Sequence, residues 1–160
     1  MTFHKISSSD FESDYLLIAV HSNSESYKLA FEINLKLKTK LKKSNNEISF
    51  KNNNSFFELY KHESETYNTR LYLISNKSLS ETKINSPTLF DNQSISTFLV
   101  PELKKAQFLI KIEGGGFKTE NLIRKLNEIG SIQSCYPAFI KSNKSKYNLI
   151  FEWWNSTKLK

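Results

Sequence analysis

The chain has 160 residues, 38% of them hydrophobic and 13% aromatic, and carries a net charge of +7. That length matches one domain of roughly 100–200 residues and can bury a core without help from a metal, and the apolar content excludes a disordered chain. A single cysteine, Cys135, excludes an internal disulfide and any metal cluster built on paired cysteines.

Residues 1–14 read as a polar lead-in without a signal peptide's apolar core, so the cytoplasm is the expected address. Tyr15-Leu16-Leu17-Ile18-Ala19-Val20-His21 is a nearly continuous apolar run, the pattern of a central strand covered on both faces. It is far too short to cross a bilayer, and no membrane role is expected. Ser22-Asn23-Ser24-Glu25 has the spacing of a capping box. The helix after it, about 24–38, sets Leu29, Ile33 and Leu37 on one stripe, with Tyr27 and Ala30 beside them. Lys36, Lys38 and Lys40 complement the negative end of its dipole.

From Leu41 the period changes to two. Strands are expected over 41–44, 47–50, 55–60 and 69–74, separated by Asn-rich turns at Asn45-Asn46 and Asn52-Asn53-Asn54. Residues 75–97 read as one long polar loop anchored at Leu89-Phe90. Pro101 then breaks the Thr97–Val100 segment. From Ala106 the alternation is strict, with Phe108, Ile110 and Ile112 on one face and Gln107, Leu109, Lys111 and Glu113 on the other. Gly114-Gly115-Gly116 turns into a helix with Thr119 as N-cap, Leu122, Ile123, Leu126 and Ile129 as its stripe, and Gly130 as its C-terminal cap. Residues 132–140 return as strand interrupted at Pro137, and 147–154 alternate as a last strand.

This order predicts one α+β domain over 1–160, with its core at about 15–152 and a short basic tail at 155–160. Two helices pack on one face of a mostly antiparallel sheet, and the second half is a β-α-β unit. A ferredoxin-like or ACT-like topology fits, and neither label implies an activity.

No catalytic constellation stands out. The triple glycine lacks the full phosphate-loop pattern and reads as a strand-to-helix connection. His4, His21 and His62 have no ligand spacing, so neither a metal nor another cofactor is expected. Cys135 reads as a buried structural thiol, since a nucleophile needs a base beside it. Among the 23 basic residues only Arg70 and Arg124 are arginine. Lysine is a hydrated point charge rather than a bidentate reader of phosphate, so much of the charge belongs to solvated faces.

Val100-Pro101-Glu102, followed after three residues by Ala106-Gln107-Phe108, resembles the motif of the IPExxxVDY proteins of Bacteroidota. Gln107 stands where that motif has Asp, which removes a carboxylate. Leu17–Ser22, Tyr27–Phe31, Leu73–Lys77 and Phe108–Gly114 look like the family too, so the likeness runs over about residues 15–152. Members are often encoded near ribonuclease III and pyruvate kinase, which implies a cytoplasmic housekeeping setting and no mechanism. The polar positions shared at element ends are His21, Asn76 and Glu102, which form a candidate binding site if the strand ends cluster.

The expected function is a non-enzymatic binding, regulatory or adaptor domain with a protein partner. The alternative is an RNA- or ribosome-associated accessory that uses the lysine-rich segment 36–43. Exposed sheet edges leave a homodimer open.

Overall fold

A computed structural model describes residues 15–45, 48–50, 55–80 and 95–150. Its main sheet has six antiparallel strands in the order β10-β1-β9-β6-β5-β2. The strands are β1 (Tyr15–His21), β2 (Lys42–Lys43), β5 (Leu59–Ser64), β6 (Thr69–Ser75), β9 (Phe108–Gly114) and β10 (Ser134–Pro137). Two ribbons accompany it, β3 (Ile48–Phe50) with β4 (Ser55–Phe57) and β7 (Lys77–Ser80) with β8 (Ile95–Phe98). The helices are α1 (Ser26–Leu37), α2 (Thr119–Asn127) and α3 (Asn143–Asn148).

β9 and β10 both run antiparallel to β1, so they are parallel to each other and α2 is the crossover between them. By the same reasoning β1 and β6 are parallel on either side of β9, with α1 following β1. β10-β1-β9-β6 with two helices is the ferredoxin-like split β-α-β arrangement. β5 and β2 extend it at the β6 side.

Strict alternation turns Ile18, Val20, Leu71, Leu73, Phe108, Ile110 and Ile112 toward one face, where Leu29, Ala30 and Ile33 of α1 and Leu122 and Leu126 of α2 cover them. Leu17, Leu59, Tyr72, Ile74 and Leu109 point the other way, under Ile48, Phe57, Leu99, Val100 and Leu149. Each large aliphatic side chain buried this way contributes about 1.5–3 kcal/mol. The sheet is therefore covered twice, by α1 and α2 on one side and by the ribbons, the Leu99–Val100 corner and the end of α3 on the other.

Several local expectations change. The capping box does not form: Glu25 is the N-cap of α1 and makes no side-chain cap bond. The Ser22 hydroxyl instead donates to the Ser131 carbonyl at 2.7 Å and accepts the Ser24 N–H. Tyr27 lies outside the core stripe, exposed on the far side of α1. The polar loop begins and ends in paired strand, because β7 and β8 zip together at its ends; Leu89-Phe90 falls outside the described residues. Lys118 rather than Thr119 caps α2, and Gly130 has no positive φ. Residues 132–140 give one short strand that stops at Pro137. Tyr147 and Asn148 belong to α3, whose cap Ser142 accepts the Ser145 N–H; residues 151–154 lie outside the described residues.

Of the triple glycine, only Gly114 and Gly116 have positive φ. A Cβ on Gly114 would lie 1.9 Å from the Asn68 carbonyl oxygen. Glycine there serves close packing of β9 on the β5–β6 turn. Gly114→Ala is expected to cost more than about 2 kcal/mol through backbone strain and overlap. Gly130→Ala, with nothing within 4 Å of its Cβ, stays within about 1 kcal/mol of the parent. Urea denaturation measures both.

Candidate docking surface

The ends of β1 and β6 and the start of β9 meet at one end of the sheet. Val20 and Ser75 both pair with Phe108, so the next step of the register sets His21 and Asn76 on either side of Gln107. The Asn76 N–H donates to the Gln107 carbonyl at 2.9 Å, and the Gln107 Oε1 accepts the Ser22 N–H at 2.9 Å.

Asn76 is wholly buried. Its Nδ2 donates to the carbonyls of Leu103 at 2.9 Å and Ala106 at 3.0 Å, and more weakly to that of Val100 at 3.5 Å. Its Oδ1 accepts the Val100 N–H at 2.9 Å, and its carbonyl accepts the Leu99 N–H at 2.8 Å. These bonds hold the Leu99–Gln107 corner, including the single 3-10 turn at Pro101–Leu103. Glu102 lies on that turn, away from His21, and accepts the Ser145 hydroxyl at 2.7 Å. With Asn148 Nδ2 donating to the Leu99 carbonyl at 3.0 Å, it ties α3 to the corner. The half-exposed His21 Nε2 sits 2.9 Å from the Tyr136 hydroxyl on β10. The fold thus brings His21 and Asn76 to one edge, while Glu102 faces α3.

On the face opposite α1 and α2, Lys61, Tyr72 and Lys111 stand side by side across three strands. Lys111 is buried, not on a solvated face, because its ammonium is fully occupied. It lies 2.7 Å from Glu113 and from the Leu149 carbonyl, and 4.8 Å from the centre of the Tyr15 ring. Lys61 lies 2.5 Å from Glu63, and Arg70 approaches both Glu63 and Glu113. Buried charges persist only when paired in this way. Burial, then the Glu113 carboxylate, pushes the Tyr72 phenol well above its ordinary value.

Burial likewise pushes the Cys135 thiol up to about 11, which removes it as a thiolate nucleophile near neutral pH. Among the described residues, no three His, Cys, Asp or Glu side chains form a metal-ligand group. None of the described helices is long and apolar enough to cross a membrane.

The outer helix layer is uneven. α2 turns Glu120, Asn121, Arg124 and Lys125 to solvent. α1 turns out Tyr27, Phe31 and Leu35, which are 64%, 62% and 67% exposed. Spaced by four residues, they form an apolar ridge opposite Leu29 and Ile33. Lys36–Glu128 at 2.6 Å and the bond from the Ser131 hydroxyl to Glu32 fix α1 beside α2. At the start of α1, an open groove of about 380 Å³ is lined by Glu25, Glu58 and Lys77 among others. Glu58 accepts the Ser26 hydroxyl and lies 3.6 Å from Lys43. At the other end, Lys38, Lys40 and Lys42 are exposed and have no acidic partner among the described residues. The four-residue spacing of the ridge is visible in the sequence, but it competes there with the buried stripe for the role of core.

Asn76→Ala is expected to cost at least about 2 kcal/mol, since it strands several buried backbone groups. Glu102→Ala removes one partly exposed bond and costs no more than about 1 kcal/mol; denaturant titration separates the two. His62 Nδ1 accepts the Lys40 N–H at 3.0 Å. Burial, then the Lys40 charge, lowers its pKa from 6.5. The folded state therefore binds this proton less readily than the unfolded chain. Its contribution to stability is present above pH 6.5 and is lost as pH falls through the lowered folded value. Urea midpoints measured from pH 8 to 5 should decline, and His62→Asn, a non-titrating acceptor, should decline less.

Scans against protein-family models, curated proteins and solved structures find no match to this chain.

Proposed function

We propose that the chain is a non-enzymatic binding module that docks a protein partner on the outer face of α1. The carrying observation is the contrast within one helix layer, polar outside on α2 and Tyr27-Phe31-Leu35 outside on α1. Aromatic residues set in an exposed apolar patch mark interaction sites, and aromatics dominate interface energetics. The polar groups of the Leu99–Gln107 corner support the same reading, since they are spent on backbone and on α3 rather than turned outward. The likeness of Val100-Pro101-Glu102 to the IPExxxVDY motif supports a cytoplasmic setting.

A second reading, an RNA- or ribosome-associated accessory, draws on the exposed Lys38, Lys40 and Lys42. It requires affinity that falls steeply with salt through counterion release.

Affinity capture with the full chain tests both. Proteins retained by the parent should be lost at least tenfold from a Phe31→Glu/Leu35→Glu variant whose circular dichroism and urea midpoint are unchanged. Retention indifferent to that variant would overturn the docking reading. RNA lost instead from a variant with Lys38, Lys40 and Lys42 changed to Gln would favour the second.

A further inference from the structure

We infer that the occupant of the α1 ridge is a second copy of this chain, packed antiparallel about a twofold axis at Phe31. The inference rests on reading that face as a docking surface and names what docks there.

The ridge is self-complementary in two respects. Phe31 is the midpoint of Tyr27, Phe31 and Leu35, so an antiparallel pair centred on it sets Phe31 on Phe31 and each Tyr27 on the other copy's Leu35. A twofold contact needs this property, with the same patch serving on both copies. The charges are sorted the same way along the helix. Acid gathers at its start, where Glu25 is exposed and Glu58 lies beside Ser26. Lysine gathers at its end, in Lys38, Lys40 and Lys42. Pairing about residue 31 places Lys38 opposite position 24, one residue from Glu25 of the other copy. A parallel pair would instead set lysine on lysine. Antiparallel alignment also opposes the two helix dipoles favourably. Glu25 and Lys38 have no side-chain partner among the described residues, so the contact breaks nothing printed in the single chain.

Size sets the strength. Aromatic side chains bury about 150–250 Å² each, so three side chains exposed to about two-thirds supply about 350 Å² per copy. A stable complex typically buries about 800 Å² per partner. The pair is therefore a weak, concentration-dependent dimer.

Sedimentation velocity of the full chain over a wide concentration range tests this. The parent should pass from one chain mass toward two, while Phe31→Glu stays at one throughout. Glu25→Lys and Lys38→Glu should each weaken association several-fold, because each sets like charges across the interface. Mixing those two variants should restore it, since every cross-copy contact then becomes attractive. Unchanged circular dichroism for each variant separates lost contact from lost fold.

A parent that stays at one chain mass, a dimer indifferent to Phe31→Glu, or no rescue on mixing overturns the inference. If the parent stays single while Phe31→Glu/Leu35→Glu still abolishes capture of another protein, the docking face stands and only its occupant was misassigned. If neither association nor capture responds to these variants, both readings fall.

Discussion

One buried carboxamide organises the region between the second ribbon and the central strand. The chain leaves β8, turns through Pro101 and must enter β9 in register, and it makes that passage with irregular backbone inside the fold. Irregular backbone carries donors and acceptors that no ladder satisfies, and leaving them dry is costly. Asn76 answers with its side-chain donors and acceptor and its own backbone groups. With the corner fixed, Leu99 and Val100 reach the second core, and Glu102 and the Leu99 carbonyl present themselves to α3. Gln107, at the end of the same corner, holds the Ser22 N–H where β1 ends.

How far the fold could be read from sequence depended on which physical signal each segment carried. Tyr15–His21 and Phe108–Gly114 announced themselves because a strand covered on both faces has little room for polar residues. Lys111 was misplaced for the same reason in reverse. Alternation assigns a lysine to a face and assumes that face is wet, whereas Glu113, the Leu149 carbonyl and two tyrosine rings make a buried place for it. The capping box at Ser22–Glu25 failed because a carbonyl distant in sequence, that of Ser131, competed for the serine hydroxyl. Residues 143–148 form a helix although they carry no apolar stripe, since docking on Glu102 and Leu99 supplies what local pattern does not.

The candidate surface was half legible. α1 carries two apolar stripes, Leu29-Ile33-Leu37 and Tyr27-Phe31-Leu35, and periodicity alone does not say which one turns inward. Packing decides, because Ala30, beside the first stripe, is small enough to let the helix approach the sheet. His21 and Asn76 were correctly placed at strand ends. Their chemistry depended on neighbours from β9 and β10 that local sequence does not reveal.

Among the described residues, the outermost strands are β2, two lysines long, and β10, which stops at Pro137. Charge and proline both discourage another chain from adding a strand. A molecule guarded this way is poorly suited to open-ended growth by sheet extension, even when crowded. Its route to association runs through side chains on a helix, where contact closes after two copies and leaves no template for a third.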